Sequence, residues 1–486
     1  MEVLNNKVAY ENKLNDYVKN EKAAVSLISS IGHLMYEKSI ELVLFRNPLV
    51  DKSISEILKL HNKAKSITYN PVNIHDTAAL AKEIIELSIA PSKLDIGKLA
   101  SEWNLEKDNF SSQSDFLTNK LSGFDNSNDH NLTPKDVVLY GFGRIGRLAA
   151  RELIKQAGKG QQLRLRAIVT RSVTEDILIK RAALLMNDSV HGEFNGNVDV
   201  DVENNALIIN GQIVKFIEAK NPEDTDYTSY GINDALIIDN TGVFSDKEAL
   251  SRHMQAKGVS KVLLTAPGKG IPNIVYGINE GELDLEKEDI FSAASCTTNA
   301  IAPILYTIEN TLGVVKGHIE TVHAYTNDQN LLDNMHKKPR RGRSAAINMV
   351  ITSTGAGNAV TKVVPSLKDK LTANAVRVPT PNGSLAILNL NVDKETSVEA
   401  INEIIRNAAL QGSLVNQIKY ENDPELVSND IIGNICCSVF DSNATIVSND
   451  KKNIVLYVWY DNEFGYTKQV IRLAKYIAKV RRLIYY

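Results

Sequence analysis

The chain has 486 residues, 43% of them hydrophobic and 23% charged, with a formal net charge of −3. That make-up fits a globular protein of roughly two to four domains and excludes the strongly basic balance that favours nucleic acid. No stretch reaches the roughly 18 consecutive apolar residues of a membrane-spanning helix, and the first twenty residues, mixed in charge and without an apolar centre, do not read as a secretory signal.

In chain order, residues 1 to about 130 carry few glycines and long stretches of helical period. Ala23–Phe45 and Asp76–Ile89 space their apolar residues three and four apart, which predicts amphipathic helices, with Asp76 a candidate cap for the second. The polar run Ser122–Asn131 reads as a linker, and a boundary is expected near Pro134. The texture then changes to short apolar strands alternating with helices. Strands are expected at Val137–Tyr140, Leu163–Val169, Ala235–Asp239 and Lys261–Thr265, with a helix at Arg147–Ala157. This alternation implies a parallel, doubly wound sheet. From about Gly317 the strands lengthen (Gly317–Ala324, Ser384–Val392, Ile454–Tyr460), as in a second, α+β domain, and a helix is expected over Tyr466–Leu483. The organisation read from this is an all-helical extension at 1–131, a Rossmann-type dinucleotide-binding domain at 132–295, an α+β catalytic domain at 296–465, and a C-terminal helix at 466–486 returning to the nucleotide domain.

Two constellations carry chemistry. Gly141-Phe142-Gly143-Arg144-Ile145-Gly146 follows the strand VVLY and opens a helix. In that context the first glycine makes the tight turn, the second lets the backbone approach a pyrophosphate, the third permits close helix–strand packing, and the helix N-terminus favours the anion. The competing reading is a tight turn that merely needs small residues. About 20 residues on, where an acid would bind the ribose of NAD, the strand Leu165–Val169 is followed by Thr170 and Arg171. A carboxylate there would repel a 2′-phosphate, whereas a guanidinium pairs with one. NAD or NADP is expected, with NADP favoured; the alternative leaves Arg171 in solvent. No His cluster has metal-ligand spacing, His33, His61 and His75 being scattered, and no metal is expected.

The second constellation is a thiol. Ser295-Cys296-Thr297-Thr298-Asn299 lies between the strand-like Ile290–Ala293 and the apolar helix Ile301–Ile308. A helix N-terminus there would lower the thiol pKa, and His323, ending a strand in ETVHA, is the candidate base. Taken singly, a cysteine is more often a small buried hydrophobe and a histidine a satisfied core residue. Only three cysteines occur; Cys436 and Cys437 read as strand-packing residues. So few make a disulfide framework untenable and suggest a reducing, cytoplasmic setting.

The motifs GFGRIGR, ASCTTN, TVHAYTNDQ, HKKPRRGRSAA, STGAGNAV, VRVPTPNGS and WYDNEFGY occur together and in order over roughly Lys135 to Ile477. In this the chain resembles the phosphorylating glyceraldehyde-3-phosphate dehydrogenases; residues before 130 lie outside the resemblance. It implies that Cys296 is the nucleophile and His323 its base. Thr326 and Arg377 would hold the phosphate of glyceraldehyde 3-phosphate, and Ser295, Thr297, Thr354 and Gly355 the attacking inorganic phosphate, with added charge from Arg341 or Arg343. Asn462 would hold the nicotinamide amide, Tyr466 orient its ring, and Thr241-Gly242 line the cofactor turn after Asn240. The chemistry implied is a hemithioacetal on Cys296, hydride transfer, then a thioester cleaved by phosphate. A homotetramer is implied too; composition points to no nucleic-acid or membrane partner.

Three departures stand out. Ala300 replaces a second cysteine, Thr170-Arg171 replaces the ribose acid, and Glu218-Ala219-Lys220-Asn221-Pro222 replaces a Glu-Arg-Asp-Pro stretch. Two rivals remain open: an erythrose-4-phosphate dehydrogenase, releasing its acyl group to water, and a catalytically retired binding protein. The intact Cys296, His323, Arg377 and Asn462 weigh against retirement. For the extension, a regulatory module, a cover for the core and a stabilising addition stay equally open.

Overall fold

The computed structural model describes residues 2–68, 72–125, 132–155 and 162–486, the side chains of 2–7 and 65–68 excepted. The chain forms two compact units. One comprises residues 1–133, 156–161 and 481–486, the other 134–155 and 162–480. Among the described residues no helix is long and apolar enough to cross a membrane.

The first unit is mainly helical but not wholly so. It contains α1 (Glu2–Glu37), β1 (Glu41–Leu44), β2 (Asn47–Pro48), α2 (Ile54–Thr68), α3 (Ile74–Glu86), β3 (Ser92–Asp95), α4 (Ile96–Glu106) and α5 (Gln113–Lys120). Helix α1 stops at Glu37, Ser39 turns left-handed (φ 58°), and the apolar end of the expected Ala23–Phe45 helix becomes the buried strand β1. A run as short as Glu41–Phe45 suits either state, and pairing with β3 decides it. Helix α3 starts earlier than expected, and its cap is Asn73, whose side chain accepts from His75 N at 2.9 Å, not Asp76. Buried Asp95 organises the unit's centre. Its carboxylate accepts from the N–H groups of Gly97 and Lys98, capping α4, and from those of Phe45 and Arg46, holding two positive-φ residues in the β1–β2 turn. Most of the Ser122–Asn131 linker, residues 126–131, lies outside the described residues.

The second unit opens with β4 (Lys135–Tyr140), α6 (Arg144–Ile154), β5 (Leu163–Thr170), α7 (Glu175–Met186), β6 (Asn187–Asp188), β7 (Gly192–Glu193), β8 (Val198–Asp201), β9 (Ala206–Ile209), β10 (Gln212–Glu218), β11 (Ala235–Asp239), α8 (Lys247–Ser251), β12 (Val259–Leu264) and β13 (Ile290–Ser292). Its sheet runs β13-β12-β11-β4-β5-β10-β9-β8, parallel from β13 to β10. The chain order reverses between β4 and β11, so the loops after these two strands flank the crevice where such sheets bind ligands. The strands are buried on both faces, as a sheet covered by helices requires.

Next come α9 (Cys296–Leu312), β14 (Val314–Ala324), β15 (Val350–Thr352), α10 (Ala356–Val360), β16 (Leu371–Val378), β17 (Ser384–Val392), α11 (Val398–Leu410), β18 (Ile418–Glu421), β19 (Ser438–Asp441), β20 (Ile446–Val447) and β21 (Asn453–Tyr460). Their sheet is ordered β15-β16-β14-β17-β21-β19-β18, and α9 packs on it through Ile301, Ile304, Leu305 and Ile308. Pro303, inside α9, cannot donate back to Asn299. The Asn299 carbonyl instead accepts from the Cys437 thiol at 3.1 Å, and Ser438 serves that of Ala300. Cys437 is thus a buried donor as well as a packing residue.

Helix α12 (Phe464–Ile477) buries Val470, Ile471 and Ala474 against Ala149, Ala150 and Leu153 of α6, in the core of the nucleotide sheet. The expected helix to Leu483 ends six residues early. The chain then re-enters the first unit as β22 (Leu483–Tyr485), parallel to β3 in a sheet ordered β2-β1-β3-β22. A β-branched and aromatic tail pairs with an open strand edge more readily than it extends a helix. Tyr485 Oη bonds Glu102 Oε2, and Lys98 reaches the Tyr486 carbonyl. Deleting residues 483–486 should lower the melting transition of this unit by roughly 5–10 °C, on the loss of about 2 kcal/mol of packing and strand pairing, while the second unit's transition stays put. Differential scanning calorimetry with limited proteolysis would show it; unchanged melting would refute the latch.

Candidate active site

The thiol is presented by a strained turn and a capped helix. Ala294 has φ 55°, a left-handed conformation costly for a residue with a Cβ. It is held by its own N–H on Ser292 Oγ (3.0 Å) and by Tyr466 Oη donating to its carbonyl (2.9 Å). Asn299 Nδ2 then ties the carbonyls of Ala293 and Ser295, at 2.8 and 3.0 Å. Ser295 Oγ accepts from Thr298 N at 3.0 Å and caps α9, which begins at Cys296. The sulfur is half-buried above the helix N-terminus.

Its partner comes from the second sheet. β14 and β16 run parallel with His323 opposite Arg377, so the register alone sets imidazole beside guanidinium. Cys296 Sγ lies 3.7 Å from His323 Nε2. His323 Nδ1 lies 2.7 Å from the Ala324 carbonyl and 3.0 Å from Arg377 Nη1, which itself donates to that carbonyl at 2.8 Å. A carbonyl only accepts, so a ring proton on Nδ1 meets it at 2.7 Å and leaves Nε2 to accept from the thiol, while Arg377 Nη1 faces the same Nδ1 as a second donor. The Tyr460 ring stands edge-on to His323, with centroids 5.9 Å apart, and its hydroxyl meets Thr297 Oγ1 at 3.1 Å.

Burial dominates the electrostatics. It raises the Cys296 thiol above its ordinary value, against the pull of Arg377 and the bonds from Thr297. It also drives His323 down to about 3, with Arg377 adding to the effect. Burial thus favours the uncharged form of both groups. This corrects the expectation of a thiol lowered by the helix terminus, because desolvation here outweighs the dipole.

Other expected residues fall into three groups. Thr326 lies just past β14, and its hydroxyl has no partner among the described residues. Arg377 Nε is buried, likewise without a partner there. Both suit an anion. Ser295 and Thr297 are already bonded, to Thr298 and Tyr460. Thr354 Oγ1 accepts from Ala356 N, and Gly355 opens α10 with clear space where a side chain would be. Arg341 is held by Thr352 and Asp328, close enough to lower His323 and Arg377; exposed Arg343 pairs with Asp333.

The nucleotide crevice accommodates a dinucleotide. Gly141 has φ 98°, and a Cβ on Gly146 would meet the Gly141 carbonyl at 2.7 Å, whereas one on Gly143 would meet nothing within 4 Å. Gly143 stands at the N-cap of α6 without a side-chain cap, leaving the backbone of Arg144 and Ile145 for a phosphate. The Arg144 side chain is not available; Asp188 and Glu463 grip it. Across the crevice, Asp239 accepts from Thr241 N and Oγ1 and shapes the turn to Gly242 (φ 69°). Asn462 Oδ1 accepts from Ser384 Oγ at 2.8 Å, so its Nδ2 is left to donate. At the end of β5, Thr170 bonds the Ser172 carbonyl and Arg171 is exposed, with no ion pair among the described residues. A carboxylate invisible from that strand also stands near: Glu218 of β10, opposite Thr170 in register, accepts from Val173 N. Tyr460, Ser384 and Asn382 were unassigned by sequence; the strand-end position of Tyr460 within WYDNEFGY was the available signal.

Alkylation with iodoacetamide should fall on Cys296, not on buried Cys437, which is pushed up to about 12. Its rate should climb with pH as the raised thiol ionises, and Arg377→Met should slow it severalfold at about pH 8 by removing the cation that favours the thiolate. An unaltered pH–rate profile in Arg377→Met, read by mass spectrometry, would refute that coupling.

Comparison with known proteins finds two family models. One, the NAD binding domain of glyceraldehyde 3-phosphate dehydrogenase, matches residues 135–247, and the C-terminal domain of the same enzyme matches 295–462. A glyceraldehyde-3-phosphate dehydrogenase-like protein of Pseudomonas aeruginosa is 47% identical over 460 residues, covering 93% of this chain and 98% of its own length. A match of that extent takes in most of the N-terminal extension. Glyceraldehyde-3-phosphate dehydrogenase 2 of a Nostoc species is 41% identical over 345 residues, covering 71% of this chain and 98% of its own. The chloroplastic glyceraldehyde-3-phosphate dehydrogenase A of Zea mays is 41% identical over 340 residues, covering 70% and 81%.

Proposed function

The chain belongs to the glyceraldehyde-3-phosphate dehydrogenase family of NAD(P)-dependent oxidoreductases, and from that premise we propose that it oxidises glyceraldehyde 3-phosphate through a Cys296 thioester and passes the acyl group to inorganic phosphate. The observation that carries this reading is Cys296 Sγ at 3.7 Å from a His323 Nε2 free to accept its proton.

In the proposed reaction, His323 Nε2 takes the thiol proton as Sγ attacks the aldehyde carbon, and returns it to the oxygen of the hemithioacetal. It then receives that hydroxyl proton as the carbon is oxidised to the thioester. Its protonated ring can also donate to the oxyanion that forms on the way. When phosphate oxygen attacks the thioester carbon, the C–S bond breaks and Sγ recovers a proton from His323. Arg377 and Thr326 hold the substrate's phosphate; the unpartnered Arg377 Nε is the donor the fold leaves for it. Inorganic phosphate is held by the Thr354-Gly355 backbone and the face of Ser295. Thr297, bonded to Tyr460, supports the site from behind.

The glycine loop, Thr241-Gly242, Asn462 and the Tyr466 ring would hold the dinucleotide, whose nicotinamide, when bound, accepts the hydride. NADP is the favoured form, because Arg171 is exposed, has no ion pair among the described residues and suits a 2′-phosphate. Leu331, Leu332, Met335, Ile347 and Met349 are between 74% and 92% exposed on one loop region. An apolar surface of this kind supports a homo-oligomer, a tetramer by family likeness.

The decisive experiment measures reduction of NAD and NADP with glyceraldehyde 3-phosphate, with and without inorganic phosphate. Phosphate-dependent turnover is expected; turnover indifferent to phosphate would replace acyl phosphate formation with hydrolysis, and none at all would retire the enzyme reading. Arg171→Ala should lower kcat/KM for NADP by about tenfold and leave NAD near wild type. Equal losses would remove Arg171 from cofactor selection.

A further inference from the structure

A second constellation of titratable groups lies in the turn between β6 and β7. His191 is buried there among carboxylates. Its Nε2 is 3.1 Å from Asp461 Oδ2, and its Nδ1 is 3.4 Å from Asp188 Oδ1 and 3.7 Å from Glu463 Oε2. Asn382 Nδ2 stands 3.2 Å from Nε2 and Arg144 Nη2 3.5 Å from Nδ1. Arg147 of α6 reaches Asp188 at 3.9 Å, and Arg151 bonds the Gly192 carbonyl next to His191. The Phe464 ring of α12 lies 6.1 Å away.

A neutral imidazole donates to the carboxylates on one side only. With its single proton on Nε2 it bonds Asp461 and turns a lone pair toward Asp188 and Glu463. With the proton on Nδ1, the lone pair faces Asp461. The Arg144 donors nearby are already on Asp188 and Glu463, while Asn382 Nδ2, with two hydrogens, donates one to Asp461 Oδ1 at 2.8 Å and has the other for Nε2 at 3.2 Å. Only the imidazolium donates on both sides. It places a cation directly between Asp461 on one side and Asp188 and Glu463 on the other.

The cluster touches both ends of the cofactor crevice. Asp188 and Glu463 grip Arg144, the first residue of α6, whose N-terminus forms the phosphate cradle. Asp461 precedes Asn462, and Asn382, bonded to Asp461, accepts the Asn462 N–H at 3.2 Å. We propose that His191 is a positioning residue for the dinucleotide: as an imidazolium it ties the carboxylates under the glycine loop to the one beside Asn462, and so fixes the spacing between the phosphate and nicotinamide ends. The inference rests on the reading of this crevice as the cofactor site.

Burial opposes the charge, but Asp461, Glu463 and Asp188 outweigh it and hold His191 above its ordinary value. The contribution is therefore complete at lower pH and is lost as pH rises through that raised value. Affinity for NAD should weaken toward alkaline pH.

The test is calorimetric binding of NAD and of ADP-ribose, which lacks the nicotinamide, to the full chain and to His191→Gln from about pH 6 to 9.5. The variant should bind NAD about tenfold more weakly at the acidic end, hold ADP-ribose within about twofold, and lose the alkaline decline. A general structural defect would weaken both ligands alike, and that result, or an unchanged pH profile, overturns the proposal. Should the variant not fold, NMR titration of the wild-type His191 ring answers instead: by linkage, saturating NAD must raise its pKa, and no rise refutes the role. Wild-type protein that binds neither ligand nor NADP would sink the cofactor-site reading itself; binding of both without dependence on His191 sinks this inference alone.

Discussion

The short contact between His323 Nδ1 and the Ala324 carbonyl favours the ring tautomer with its proton on Nδ1. With the proton held there, Nε2 presents a lone pair to Cys296 Sγ, and every proton transfer in the proposed reaction passes through that one atom. Were the ring in its other tautomer, thiol and imidazole would face each other as two donors. Arg377 strengthens the arrangement by sharing the same carbonyl. Its place is guaranteed by the parallel register of two strands rather than by any loop, which gives the site the rigidity of the sheet.

Around this bond the fold accepts local costs. Ala294 sits in a left-handed conformation for the sake of directing Cys296 to the mouth of the site, and Tyr466, Asn299 and Ser292 hold it there. Pro303 strips a bond from the helix that carries Cys296, and the Cys437 thiol takes up the freed Asn299 carbonyl. Desolvation favours the uncharged thiol and imidazole. A site that is neutral at rest and flanked by Arg377 and Arg341 is suited to a substrate that brings its own negative charge.

Much of this was legible in the residues. The glycine loop after an apolar strand, the thiol before an apolar helix and the histidine at a strand end sit where periodicity and motif place them. What remained hidden depends on partners distant in the chain. Arg144 lies in the phosphate loop, yet its side chain belongs to Asp188 and Glu463; Thr297 turns to Tyr460; Glu218 reaches the Thr170 turn from another strand. Strands β1 and β22 were hidden because a few apolar residues fit helix or strand equally, and the choice is made by the open edge of β3. The lowered thiol expected from the helix terminus failed because burial, a property of the assembled site, outweighs a property of one element.

The parallel pairing of β22 with β3 bears on how the chain is made. Ser92 and Leu483 are register partners, so the ribosome must add nearly four hundred residues after the first strand before its neighbour exists. At about 5–20 residues per second that is a wait of roughly 20–80 s. During it the β3 edge has no strand to pair with, the condition under which extended segments associate wrongly. The strand that completes this sheet is thus made long after the strand it pairs with, and a cell producing the protein must shelter the β3 edge until residues 483–485 have emerged.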